Sequence, residues 1–116
     1  MHDIESCKAI LDAAAKETKK RNGKRVVRIK LSVGALSGTN PDHLRETLIL
    51  CSTGTVAEGA ELELIKKPAT IGCLECGHEF ETDGPGFPGC RKCESPRTRI
   101  IDGDGVTLES LEIETD

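Results

Sequence analysis

Tryptophan and tyrosine are absent from this chain of 116 residues, and phenylalanine occurs only twice. Stacking platforms for nucleic-acid bases therefore have little to be built from. Positive charge is also short, with 16 Lys and Arg against 20 Asp and Glu and a net charge of -4. A nucleic-acid surface needs a basic field, so protein or metal partners fit this composition better. No apolar run is long enough for a membrane span or for the core of a secretion signal. The chain is therefore expected in the cytoplasm, with no membrane partner. Histidine, at three residues, leaves no Ser/Cys-His-acid constellation. Gly34, Gly38, Gly54 and Gly59 form no phosphate-cradling Gly-x-x-x-x-Gly-Lys, and the chain reads as a non-enzyme.

Cysteine, by contrast, is plentiful. In a reducing compartment six cysteines argue against a disulfide framework. Four of them form two Cys-x-x-Cys pairs, Cys73-Leu74-Glu75-Cys76 and Cys90-Arg91-Lys92-Cys93. Each pair lets two thiolates from one tight turn reach a single ion, and two such knuckles close a tetrahedral shell. This predicts a structural zinc on Cys73, Cys76, Cys90 and Cys93; iron is the alternative, since thiolates alone do not choose the metal. With every position filled by sulfur, no catalytic water is expected. Cys7 and Cys51 stand apart on apolar faces and read as small core residues.

The hydrophobic pattern surrounds this site with an α+β fold. Ile4, Cys7, Ile10, Leu11, Ala14 and Thr18 predict an amphipathic helix that stops at Asn22-Gly23. The period then becomes two, with Val27, Ile29, Leu31 and Val33 on one strand face. Asn40-Pro41 opens a second helix whose buried face is Leu44, Leu48 and Cys51, and Glu61 to Leu64 alternate as a second strand. A last strand holds Val106, Leu108, Leu111 and Ile113, its phase slipping near Ser110 as a bulge would cause. The simplest assembly is a small mixed sheet covered on one face by two helices, with the cysteine lobe inserted between strands. The expected division is residues 1–68 plus 100–116, and a zinc ribbon over 69–99.

The amino terminus offers a second metal site. A free amine at Met1, the amide nitrogen of His2 and the His2 imidazole close adjacent chelate rings, and Asp3 can add a further nitrogen or oxygen. Square-planar nitrogen and oxygen donors select nickel(II) or copper(II). Of the other histidines, His78 reads as surface, or as a group supporting the zinc or ligating nickel, and His43 as exposed. The basic residues Lys19 to Arg25 close a helix, where cations offset its dipole. Asp102-Gly103-Asp104-Gly105 is a turn, because Val106 stands where a calcium loop needs an oxygen.

Nearly the whole chain resembles the HypA/HybF family of hydrogenase nickel-incorporation proteins. The resemblance rests on Met1-His2 and an acid opening a helix, Val33 to Gly38, Gly54 to Ala60, and the two knuckles, in that order. It implies a metallochaperone that binds nickel at Met1, His2 and Asp3. It also implies work with the GTPase HypB and supply of nickel to the [NiFe] hydrogenase large subunit. Asp3 departs from the glutamate usual in the family, a change that a backbone contribution from this position would survive. A zinc-ribbon adaptor without a second metal is the competing reading.

Overall fold

The computed structural model describes residues 3–116, without the side chain of Asp3. Helix α1 (Asp3–Lys20) is followed by β1 (Arg25–Gly34), α2 (Pro41–Ser52) and β2 (Glu61–Lys67). Strands β3 (Ala69–Cys73), β4 (Glu79–Thr82), β5 (Thr98–Asp102) and β6 (Val106–Glu114) complete the chain. The first sheet runs β2-β1-β6, with β1 parallel to β2 and antiparallel to β6. This is the expected mixed sheet, and the last strand does return to it. The second sheet, β4-β3-β5, is antiparallel and reaches Asp102, past residue 99.

Local chemistry sets the helix limits. The Asn40 side chain accepts hydrogen bonds from the amides of Asp42 (2.9 Å) and His43 (3.2 Å), capping α2 just before Pro41. At the end of α1, Asn22 turns left-handed (φ 55°) and the Gly23 amide reaches the Thr18 carbonyl at 2.8 Å. Cys7, Ile10 and Ala14 of α1 and Leu44 and Leu48 of α2 pack on Ile29, Leu31 and Val33 of β1, forming one core. Cys7 is fully buried there and Cys51 lies at its margin, as their apolar positions suggested.

Two bulges set the phase of the sheet. Val26 pairs with Ile113 and Arg28 with the adjacent Glu112, so Val27 is the extra residue. Val26 consequently takes the fully buried position while Val27 is only half-buried, which corrects the placing of Val27 on the core face. The expected slip in β6 is present too: Lys30 pairs with Ser110 and Leu31 with Leu108, leaving Glu109 unpaired in the ladder. Its carboxylate instead accepts a 2.7 Å hydrogen bond from the Ser32 hydroxyl.

A narrow neck joins the two sheets. The Leu36 amide donates to the Gly103 carbonyl (2.9 Å), Gly34 to Gly105 (2.9 Å) and Ala35 to Lys67 (2.9 Å). Lys67 and Asp102 form an ion pair at 3.1 Å, which raises the lysine pKa and lowers that of the carboxyl. A lowered carboxyl pKa means this tie acts at neutral pH and is lost in acid as Asp102 takes its proton. The radius of gyration, 17.2 Å, exceeds the roughly 13 Å of a compact chain of this length, and the long axis is 56 Å. Two lobes in line account for that shape. Among the described residues no helix is long and apolar enough to cross a membrane.

Candidate metal centre

The four cysteines of the two knuckles come together at the far end of the second sheet. Their sulfurs all lie within 4.8 Å of one another, with Cys73 and Cys93 at 3.6 Å and Cys76 and Cys90 at 3.6 Å. Sulfurs placed about 2.3 Å from one ion at the corners of a tetrahedron stand about 3.8 Å apart. The cluster therefore has the dimensions of a four-sulfur site for a metal such as zinc.

The knuckles are near copies of each other. In the first, the amides of Glu75 (3.3 Å) and Cys76 (3.4 Å) donate to the Cys73 sulfur, and Cys73 donates its own amide to His78 (2.9 Å). In the second, Lys92 (3.3 Å) and Cys93 (3.4 Å) donate to the Cys90 sulfur, and Cys90 donates to Ser95 (2.8 Å). Cys73 and Cys90 are thus the buried, amide-held sulfurs, and Cys76 and Cys93 the exposed ones.

Electrostatics follows this division. The Cys93 amide draws the Cys90 thiol down to about 6, burial opposing it and the Lys92 amide adding to the pull. The Cys76 amide likewise lowers Cys73. At Cys93 the Ser95 amide also lowers the pKa, but desolvation and the neighbouring sulfurs push it up to about 12. The amide-held sulfurs are thus easier to ionise than the third beside them. Four negative charges share this volume only around a cation.

Each knuckle needs a left-handed residue after its second cysteine: Gly77 (φ 79°) in one and Glu94 (φ 65°) in the other. Open space surrounds Gly77, so only its backbone is at issue. Gly77→Ala is expected to weaken metal retention by about 1 kcal/mol, roughly fivefold, and Glu94→Gly to strengthen it by a similar or smaller amount. Chelator competition measures both, and shifts of the same sign would refute this account.

Both phenylalanines serve this lobe. Phe87 meets Phe80 edge-on at 5.7 Å between centroids, His78 stacks on Phe80 at 6.2 Å, and the Arg91 guanidinium lies 4.9 Å from its centroid. Phe80 of β4 therefore touches the first knuckle through His78 and the second through Arg91. Arg97 adds a 2.9 Å ion pair to Glu75. Of these supports only His78 was visible in the sequence, because knuckle spacing reveals ligands and not the rings packed beneath them.

The comparisons with known proteins agree with this architecture. A family model described as hydrogenase/urease nickel incorporation, metallochaperone, HypA matches residues 1–113. The chain belongs to the HypA family. HypA maturation factors of Aquifex aeolicus (34% identical) and Acidithiobacillus ferrooxidans (32%) align with 100% and 98% of the chain, and with all of their own lengths. The solution structure of the nickel metallochaperone HypA from Helicobacter pylori shares the fold, with a TM-score of 0.78 at 20% identity over both whole chains. HypA relatives are named as maturation factors and metallochaperones, not as enzymes.

Of the other positions singled out in the sequence, His78 adjoins the first knuckle, its carbonyl accepting from the Cys73 amide. Met1 and His2 fall outside the described residues, and Asp3 begins α1 with its side chain likewise outside them. His43 is exposed in the first turn of α2, and His78 is half-buried against Phe80.

Proposed function

We propose that this chain is a nickel metallochaperone with two metals in separate roles. Cys73, Cys76, Cys90 and Cys93 hold one structural zinc. Nickel(II), the cargo, binds at Met1, His2 and Asp3 and passes, with the GTPase HypB, to the [NiFe] hydrogenase large subunit in the cytoplasm. The helix-covered sheet with its two helices forms the nickel-binding unit, and the β4-β3-β5 lobe, which extends to Asp102, the zinc ribbon.

The observation that carries this reading is the closed sulfur cluster in a chain of the nickel-incorporating HypA family. Four thiolates with two of them buried make a retaining site, whereas cargo must be yielded. A terminal amine, an amide nitrogen and one imidazole exchange metal more readily. Zinc fits the four sulfurs by donor type and spacing, and when bound it supplies folding energy to the ribbon. The knuckle amides hold Cys73 and Cys90 ready to ionise.

Calorimetric titration of nickel into untagged, zinc-loaded protein tests the proposal. Single-site binding is expected, abolished both by His2→Ala and by one extra residue before Met1. Binding indifferent to both changes, or absent from the unaltered chain, would replace this reading with the zinc-ribbon adaptor.

A further inference from the structure

Strand β2 is an edge of the helix-covered sheet, paired with β1 on its inner side only. Two bonds settle which of its backbone groups point outward. The Lys67 carbonyl accepts from the Ala35 amide (2.9 Å), on the side of β1, whereas the Leu62 carbonyl accepts from the Arg45 guanidinium of α2 (2.7 Å), on the open side. Successive residues of a strand alternate in this respect, so Leu62, Leu64 and Lys66 direct their amides and carbonyls away from the sheet. Among the described residues, only the Leu62 carbonyl of that row has a partner. An edge of this kind is a template for another strand.

The side chains of β2 say which strand fits. Its sequence, Glu61-Leu62-Glu63-Leu64-Ile65-Lys66-Lys67, is acidic at one end and basic at the other. Read antiparallel against itself about Leu64, it sets Glu61 opposite Lys67 at both ends and Leu64 opposite Leu64. The outward-pointing residues then face one another, Leu62 with Lys66 and Leu64 with its copy, as a hydrogen-bonded ladder requires. The Leu62 carbonyl can accept a second bond beside Arg45, having two lone pairs. Other axes fit less well: one at Glu63 opposes like charges, and one at Ile65 sets Pro68, which has no amide, against Leu62. Ile65, exposed on the helix-free face, comes diagonally beside its own copy across the axis at Leu64.

We infer that β2 pairs with β2 of a second copy of this chain, antiparallel about a two-fold axis at Leu64, so that their three-stranded sheets become one. Charge complementarity extends past the seam. Glu61 already pairs with Arg28 (2.9 Å) and Lys67 with Asp102 (3.1 Å), so each new contact joins two existing ion pairs into a chain of four alternating charges.

Sedimentation equilibrium and amide hydrogen exchange on the full-length, zinc-loaded protein test the inference. A concentration-dependent dimer is expected, in which the Leu64 and Lys66 amides exchange more slowly as dimer forms. Glu61→Lys and Lys67→Glu, each checked as folded by far-ultraviolet dichroism, should each weaken dimerisation about tenfold or more. An equimolar mixture of these two variants should dimerise again, because opposite charges then meet at both ends. A chain that stays monomeric at millimolar concentration overturns the inference and leaves the edge to a strand of another protein. A dimer whose Leu64 and Lys66 amides exchange at the monomer rate, or a mixture that associates no better than either variant alone, overturns it equally.

Discussion

Replacing Cys73 by serine, or stripping the metal with a chelator, should unfold residues 69–102 while leaving the helix-covered sheet folded. The ribbon cannot hold itself together by apolar burial. Its large buried side chains are Ile71 and Phe80, and none of its residues belongs to the core formed by α1, α2 and β1. Its sheet consists of strands of five, four and five residues. A three-stranded sheet this short with one thin apolar face is marginal in water. Metal binding to four thiolates contributes on the order of 10 kcal/mol to such a unit, more than its contacts supply. Amide proton–nitrogen correlation spectra of native and metal-stripped protein would show the outcome. Collapse of the ribbon resonances alone is expected, and a ribbon that keeps its dispersion without metal would contradict the account.

Gly103→Ala should be the most damaging single change in the neck. Gly103 has φ 96°, and a Cβ there would fall on the backbone of Ala69, the first residue of the ribbon sheet. The Cα, Cβ and amide nitrogen of Ala69 are not the end of a flexible side chain and cannot swing away. Left-handed strain and overpacking against main chain together are expected to cost about 3 kcal/mol. Gly34→Ala should act in the same direction, because its Cβ would meet the Gly103 carbonyl. Gly38→Ala is the control: its φ of 73° carries the backbone cost, but nothing lies near its Cβ, and about 1 kcal/mol is expected. Denaturant titration of the zinc-loaded variants measures all three. A Gly103→Ala protein no less stable than Gly38→Ala would show that the close approach is relieved by movement of the two lobes.

Much of this architecture was legible because its determinants are local. Asn40-Pro41 declares a helix start through two amides one turn away, and α1 declares itself through residues spaced three and four apart. The knuckles are equally local, each needing two thiolates and a tight turn. Register was harder to read. The slip near Ser110 left a mark in the pattern of β6, whereas two adjacent valines hid the bulge at Val27, since Val26 and Val27 satisfy either phase equally well. The ribbon strands escaped for a different reason: β4 has four residues, and Gly72 interrupts β3. Such short runs carry too few alternations to betray a period. The packing of His78 and Arg91 on Phe80 unites residues from separate turns, and no spacing rule connects them.

The distribution of rings has a practical consequence. Every phenylalanine of the chain lies in the ribbon, tryptophan and tyrosine are absent, and so the near-ultraviolet dichroism of the whole molecule arises from one lobe. The helix-covered sheet is optically silent there and dominates the far-ultraviolet signal instead. One unlabelled sample scanned in both regions would separate the melting of the two lobes.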